Sequence, residues 1–257
     1  HQKDRTAMIV QIYEIQTPYE AEACIESGVD HLGSVLLSKE NWRVPALKEV
    51  IRLSQDAGTK NSLIPLFSEI DSLYRALDYY RPHYIHFCDS LTDQNGLIKD
   101  LDAFIRFQSD LKENFPEIGI IRSIPVPRKG TSPGFPSLKI AAAIEPVTDI
   151  FLTDTWLGKE PVQGFIGITG KTADWDIVRG LIHQSDIPVI LAGGLSPDNV
   201  HEAIIKVQPA GADSCTLTNR TDKHGKPVRF RKDFSKVKRF VEEVRRAKKA
   251  ILHKVKK

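Results

Sequence analysis

The 257-residue chain carries only three cysteines and one methionine, and it contains no long apolar run. Cys24, Cys88 and Cys215 are far apart, odd in number and form no C-x-x-C pair, which argues against a disulfide framework or a structural zinc site. Such cysteine usage fits a reducing cytoplasm. The apolar stretches are a few residues long, and the run at 118–121 is already broken by Gly119. Crossing a bilayer takes ~18 or more, so no membrane partner is expected. Charge of one sign is not in excess either. The 36 basic and 33 acidic residues leave +3, too little to argue for nucleic acid. The segment 1–7 is polar, has no apolar signal-peptide core, and is expected to stand outside the fold.

What is present reads as one folded unit from residue 8 to residue 257. At 41% hydrophobic and 27% charged the composition is that of an ordinary globular protein. Short runs rich in Val, Ile and Phe, at 8–13, 31–37, 62–67, 84–88, 118–124, 150–153, 188–192 and 212–216, have the character of strands buried on both faces. Amphipathic stretches lie between them, at 19–27, 45–57, 70–80, 100–114, 138–144, 175–183, 197–207 and 232–255. Thr17-Pro18 and Ser196-Pro197 each read as a cap followed by a first-turn proline. Eight strand–helix cycles in ~250 residues predict a single (β/α)8 TIM barrel. A doubly wound sheet would need a glycine fingerprint after its first strand, and Tyr13-Glu14-Ile15-Gln16 has none. The Pro/Gly-rich stretch 125–136 reads as a loop at the mouth of the fifth strand. The strongly basic segment 236–257 reads as the last helix, projecting as an extension with a solvated face.

Two motifs carry chemistry. Gly167-Ile168-Thr169-Gly170-Lys171-Thr172-Ala173-Asp174-Trp175 is a glycine-rich turn entering a helix. Leu191-Ala192-Gly193-Gly194-Leu195-Ser196-Pro197-Asp198-Asn199-Val200 is a strand end, a Gly-Gly turn and a helix start. Glycines let backbone N–H groups approach an anion closely, and late barrel loops often build a phosphate site. In this order the two motifs resemble the G-G-T-G-K-x-F-D-W and L-A-G-G-L-x-P-x-N-V of the phosphoribosylanthranilate isomerase family of tryptophan biosynthesis. The resemblance continues through Gly28-Val29-Asp30-His31-Leu32-Gly33, Asp149-Ile150-Phe151-Leu152-Thr153-Asp154 and Ala212-Asp213-Ser214-Cys215-Thr216. It covers most of the chain and is more specific in the C-terminal half.

The resemblance implies a barrel isomerase acting on a phosphorylated, sugar-derived small molecule, without metal or other cofactor, as a monomer or homodimer. The family's reaction converts an aminoaldose phosphate to an aminoketose phosphate, with a cysteine at the first strand as base and an aspartate at the sixth as acid. Asp154 matches the acid. Tyr13 stands where the family has its cysteine, and a phenol with an ordinary pKa of ~10 is a poor base. Altered or reduced activity is therefore expected, with Glu14 as a further candidate for acid–base work. The phosphate cup maps onto Thr169, Gly170, Gly193, Gly194, Leu195, Thr216 and Leu217. Ile168 and Leu217 replace family glycines in it. Arg43, His86, Cys88 and Arg122 are candidates for holding the rest of the substrate. The alternative is a non-catalytic descendant that binds a ligand or a partner.

Overall fold

A computed structural model of the chain describes residues 8–255; the segment 1–7 lies outside the described residues. Strands and helices alternate as β1 (Ile9–Ile12), α1 (Pro18–Glu26), β2 (His31–Leu36), α2 (Pro45–Asp56), β3 (Lys60–Pro65), α3 (Ile70–Tyr80), β4 (Tyr84–Phe87) and α4 (Leu101–Asn114). They continue as β5 (Gly119–Pro127), α5 (Ser137–Ile144), β6 (Ile150–Trp156), α6 (Trp175–Gln184), β7 (Val189–Leu191), α7 (Val200–Val207) and β8 (Gly211–Ser214). A hairpin of β9 (Asn219–Thr221) and β10 (Pro227–Lys232) then precedes α8 (Phe234–Val255). The eight strands β1–β8 form a closed parallel barrel, with β8 returning to β1 through Ile9↔Gly211 to Ile12↔Ser214. The fold is a (β/α)8 TIM barrel.

Strand parity divides the residues between two cores. Val10, Ile12, Leu32 and Leu191 pack outward with α7 and α8, where Ala203, Ile204, Phe240 and Val244 cover them. Tyr13, Ile121, Ile150, Leu152, Ile190 and Ala192 pack inside the barrel. Thr17 caps α1 through a hydrogen bond from the Glu20 N–H, with Pro18 at the first helical position. The second proline signal behaves differently: Ser196-Pro197 begins a turn, and α7 starts three residues on, at Val200 behind Asn199. There the Asn199 side chain receives the Ser196 N–H and donates to the Gly194 carbonyl, which ties the turn down before the helix begins.

Two further elements depart from the sequence reading. The stretch 125–136 is not wholly loop, since β5 runs through Pro125 and Pro127. β4 pairs with β5 only as far as Phe87↔Arg122, whereas β6 pairs with it to Pro127↔Trp156. Beyond Arg122 one side of β5 needs no ladder partner, so prolines are tolerated there. The other departure is the β9–β10 hairpin, which occupies residues read as loop and as the start of the last helix.

Candidate active site at the C-terminal mouth

The inward residues nearest the mouth form one connected polar layer. Ser123 of β5 donates its hydroxyl proton to Asp154 Oδ2 of β6 at 2.7 Å. His86 Nε2 of β4 lies 2.8 Å from the same hydroxyl, and its Nδ1 lies 2.5 Å from the Tyr13 hydroxyl. Tyr13 in turn meets Ser62 of β3 at 2.7 Å. The single Ser123 proton fixes the direction of the chain. With that proton on Asp154, His86 must donate from Nε2 and accept the Tyr13 proton at Nδ1, and Ser62 must donate to Tyr13. Burial, with help from the Arg122 charge, depresses the His86 pKa to about 3, which keeps the ring neutral as this pattern requires.

Tyr13 does not fit the role of base. It is 4% exposed, its oxygen is committed on both sides, and burial raises its pKa well above the ordinary phenol value. Its ring fills the barrel above Gly33 so closely that a Cβ at Gly33 would overlap it. Glu14 is also committed. Its carboxylate is 2% exposed and accepts from Arg229 Nε at 2.6 Å. Cys88 shares the inner face with His86, but burial pushes its thiol up, away from thiolate character.

Two carboxylates remain poised. Burial raises Asp154 to about 7, against the opposing Ser123 hydrogen bond. Asp213 of β8 is raised to about 7 by burial, opposed by a hydrogen bond from Gln11 Nε2 at 2.9 Å and reinforced by the Asp154 charge. Sequence reasoning passed over Asp213 as a site residue. Both groups sit where two cavities meet. One cavity is the cup at Thr169, Gly170, Gly193, Gly194, Thr216 and Leu217, with Leu195 also on its wall. The other is a largely apolar chamber lined by Val35, Ile64, Leu152 and Phe165, with His86 and Cys88 also on its wall.

Removing the Ser123 hydroxyl tests the layer. Ser123→Ala deletes the hydrogen bond that favours ionised Asp154, so its pKa should rise by about one unit for a bond of ~1 kcal/mol. An activity that needs protonated Asp154 would then persist to higher pH. A pH–rate profile with an unmoved alkaline limb would refute the coupling.

The cup keeps its glycine backbone around an unusual residue. Among the described residues, the N–H groups of Gly170, Gly193 and Gly194 have no protein acceptor. A Cβ at Gly194 would come 2.5 Å from the Lys171 carbonyl carbon, so only glycine lets these two loops meet. Ile168 adopts φ +59, a left-handed conformation that a β-branched side chain reaches only under strain. Ile168→Gly should therefore cost little stability, because ~1–2 kcal/mol of backbone strain is released. It should also bind inorganic phosphate several-fold tighter in calorimetry, whereas Ile168→Val should do neither.

The two arginines expected at the mouth lie elsewhere. Arg122 is 1% exposed and alternates with inward Ile121 and Ser123, so it points into the helix layer. There it pairs with Asp89 at 2.7 Å and lies over the Phe104 ring. Arg43 is exposed over the Tyr79 ring and lines neither cavity.

Fold and mouth together define a (β/α)8 barrel with its site built from the loops after β6, β7 and β8. The chain belongs to the N-(5'phosphoribosyl)anthranilate (PRA) isomerase family, whose sequence model matches residues 109–243, just over half of the chain. The N-(5'-phosphoribosyl)anthranilate isomerase of Methanosarcina acetivorans is 32% identical over 131 residues, 50% of this chain and 52% of that protein. The match thus spans about half the length of that relative. The corresponding enzyme of Methanothrix thermoacetophila is 26% identical over 239 residues, 92% of this chain and 97% of that one. A solved phosphoribosyl anthranilate isomerase, in complex with reduced 1-(o-carboxyphenylamino)-1-deoxyribulose 5-phosphate, shares the fold with a TM-score of 0.63. It is 17% identical, over 93% of this chain and 99% of that one.

Proposed function

We propose that the chain isomerises N-(5'-phosphoribosyl)anthranilate, with Asp154 as general acid and Asp213 as general base. The observation that carries this reading is the pair of raised carboxylates at the junction of a glycine-lined cup and an apolar chamber. A phosphate in the cup and an aryl amine in the chamber leave the sugar carbons between the two carboxylates. Protonated Asp154 gives its proton to the ring oxygen as the C1'–O bond breaks, leaving an iminium. Ionised Asp213 then takes the proton from C2', giving an enolamine that tautomerises to the ketone. No proton is gained or lost overall, and the Asp213 proton returns to Asp154 through solvent. Burial raises both carboxylates to about 7, and a coupled pair that shares one proton near neutrality can supply one acid and one base to this reaction.

Asp213 takes the base role by elimination among the groups at the mouth. Tyr13 and Cys88 are held neutral by burial, and Glu14 is spent on Arg229. The Asp213 oxygen bonded to Gln11 orients the carboxylate and leaves its second oxygen for chemistry. A second reading, a ligand-binding descendant without turnover, draws on the bulk of Ile168 and Leu217 in the cup. Growth of a tryptophan auxotroph lacking this isomerase decides between them, with the purified chain assayed alongside. Turnover that vanishes in Asp213→Asn supports the proposal. Binding of the reduced product analogue with no turnover supports the second reading.

A further inference from the structure

The β9–β10 hairpin ends on a lysine that its solvent-facing residues do not explain. Residues 220–228 are exposed, yet Lys232, the last residue of β10, is 4% exposed. The strand end is held against the turn at Thr216–Thr218, where the Asp233 N–H donates to the Thr218 carbonyl at 2.9 Å. Lys232 Nζ donates to the Cys215 carbonyl at 2.9 Å and to the Thr218 hydroxyl at 3.4 Å. Both acceptors are neutral. Among the described residues no carboxylate forms an ion pair with this ammonium.

A buried cation without a counter-charge is costly, and lysine is almost never buried unless it is paired. The loop that Lys232 grips supplies a reason to keep it. Cys215, Thr216 and Leu217 line the cup. The Cys215 carbonyl and the Thr216 N–H belong to one peptide and point in opposite directions. A charged donor on that carbonyl polarises the peptide and makes its N–H a stronger donor in turn. Among the described residues the Thr216 N–H has no protein acceptor, like those of Gly170, Gly193 and Gly194 in the same cup. The field of the ammonium also reaches the mouth. Burial raises the Asp213 carboxyl and the Cys215 thiol, and the Lys232 charge opposes it in both.

We propose that Lys232 is a positioning residue for the ligand's phosphate: a buried counter-charge behind the cup wall that acts through the Cys215–Thr216 peptide and favours the dianion over the monoanion. It touches no ligand itself. The assignment deepens the isomerase reading and rests on it in taking the cup as the place of the phosphate. The ammonium forgoes a carboxylate partner in the empty protein, and the bound anion supplies the missing charge.

Calorimetry with inorganic phosphate at pH 8, and phosphorus NMR of the bound anion, test this on the full chain. Lys232→Met removes the charge, while the Cys215 carbonyl keeps the Thr218 hydroxyl as a donor at 3.1 Å. Lys232→Gln removes the charge but keeps a donor for the same acceptors. Both variants should bind phosphate about tenfold more weakly. The second ionisation of the bound phosphate should then move up by about one pH unit, the equivalent of that factor. Asp154, Asp213 and Cys215, the titratable groups lining the cup, stay in place, so the difference between chains reports Lys232. Without phosphate, Lys232→Met should be no less stable than the unmodified chain, because an uncompensated buried charge has gone. A role confined to hydrogen bonding gives the opposite pattern: stability lost in Lys232→Met, regained in Lys232→Gln, and an unmoved phosphate ionisation. That pattern, or failure of both variants to fold, overturns the assignment and leaves any measured isomerase turnover standing. Weakened phosphate binding as expected, in a chain without turnover, keeps the assignment and removes the isomerase reading. If the unmodified chain binds no phosphate, both fail together.

Discussion

Asp154→Asn should cut turnover about a thousandfold and at the same time make the barrel more stable at pH 8. The two effects have one cause. Burial raises the folded-state pKa of Asp154 from an ordinary carboxylate value to about 7, so the native state holds a proton that the unfolded chain releases near pH 4. Between those two pH values the native state binds more protons than the unfolded one. Stability therefore falls as pH rises through the window from about 4 to about 7, and above it the folded chain carries an ionised carboxylate in a poorly solvated site. Asparagine mimics the protonated acid in shape and cannot ionise, so that loss disappears. General acid catalysis typically contributes ~10²–10⁴-fold, and the variant should lose kcat/KM by about a thousandfold. Thermal melts at pH 5 and pH 8, set beside a pH–rate profile, check both halves. The unmodified enzyme should show a bell centred near pH 7. Its two limbs belong to the Asp154–Asp213 pair rather than to either residue alone, because each charge acts on the other. A variant that melts lower at pH 8 and still turns over would remove Asp154 from the acid role.

The barrel was legible because each of its strands pairs a β-branched run with a following amphipathic stretch, and nothing but alternation is needed to read that. The β9–β10 hairpin escaped because its strands are short and polar: Asn219-Arg220-Thr221 on one side and a largely exposed 227–232 on the other. Asp154 could be placed from the motif at the sixth strand. Arg122 could not, because strands of a parallel barrel are apolar on both faces and the sequence does not say which parity looks inward. Counting from Ile121, which packs inside, puts Arg122 among the helices. Asp213 stood in plain view in Gly211-Ala212-Asp213-Ser214, a stretch of small residues that reads as strand. What sets its surroundings is the register Gln11↔Asp213, a contact across 202 positions of chain. The motif places Tyr13 at the end of the first strand and marks its phenol as a poor base, but does not tell what the ring does there. Its meaning lies in the space above Gly33, which sequence spacing does not report.

That space yields the largest stability effect expected in the molecule. Gly33→Ala would place a methyl inside the Tyr13 ring, and neither residue has room to retreat. The Ile15 N–H donates to the Gly33 carbonyl at 2.9 Å and the Tyr13 N–H to the Ser214 carbonyl at 3.1 Å, so both backbones are pinned to the barrel. The ring is held at its far end by Ser62 and His86. Overpacking a rigid core costs ~1–3 kcal/mol, and the pinned backbones put this site near the top of that range. For a chain of this length about 3 kcal/mol lowers Tm by roughly 6–12 °C. Tyr13→Cys should also destabilise, by opening a cavity and leaving Ser62 and the His86 ring without their shared partner. The informative variant is the pair. With cysteine at 13 the methyl at 33 enters empty space, so the double variant should be more stable than the sum of the singles by about 1–3 kcal/mol. Denaturant titration of the four proteins gives this coupling directly. Simple additivity would mean that the ring swings aside at little cost and that Tyr13 does not fix the roof of the barrel. Even where coupling is full, Tyr13→Cys should add little turnover, because the thiol would enter the buried setting that already keeps Cys88 protonated.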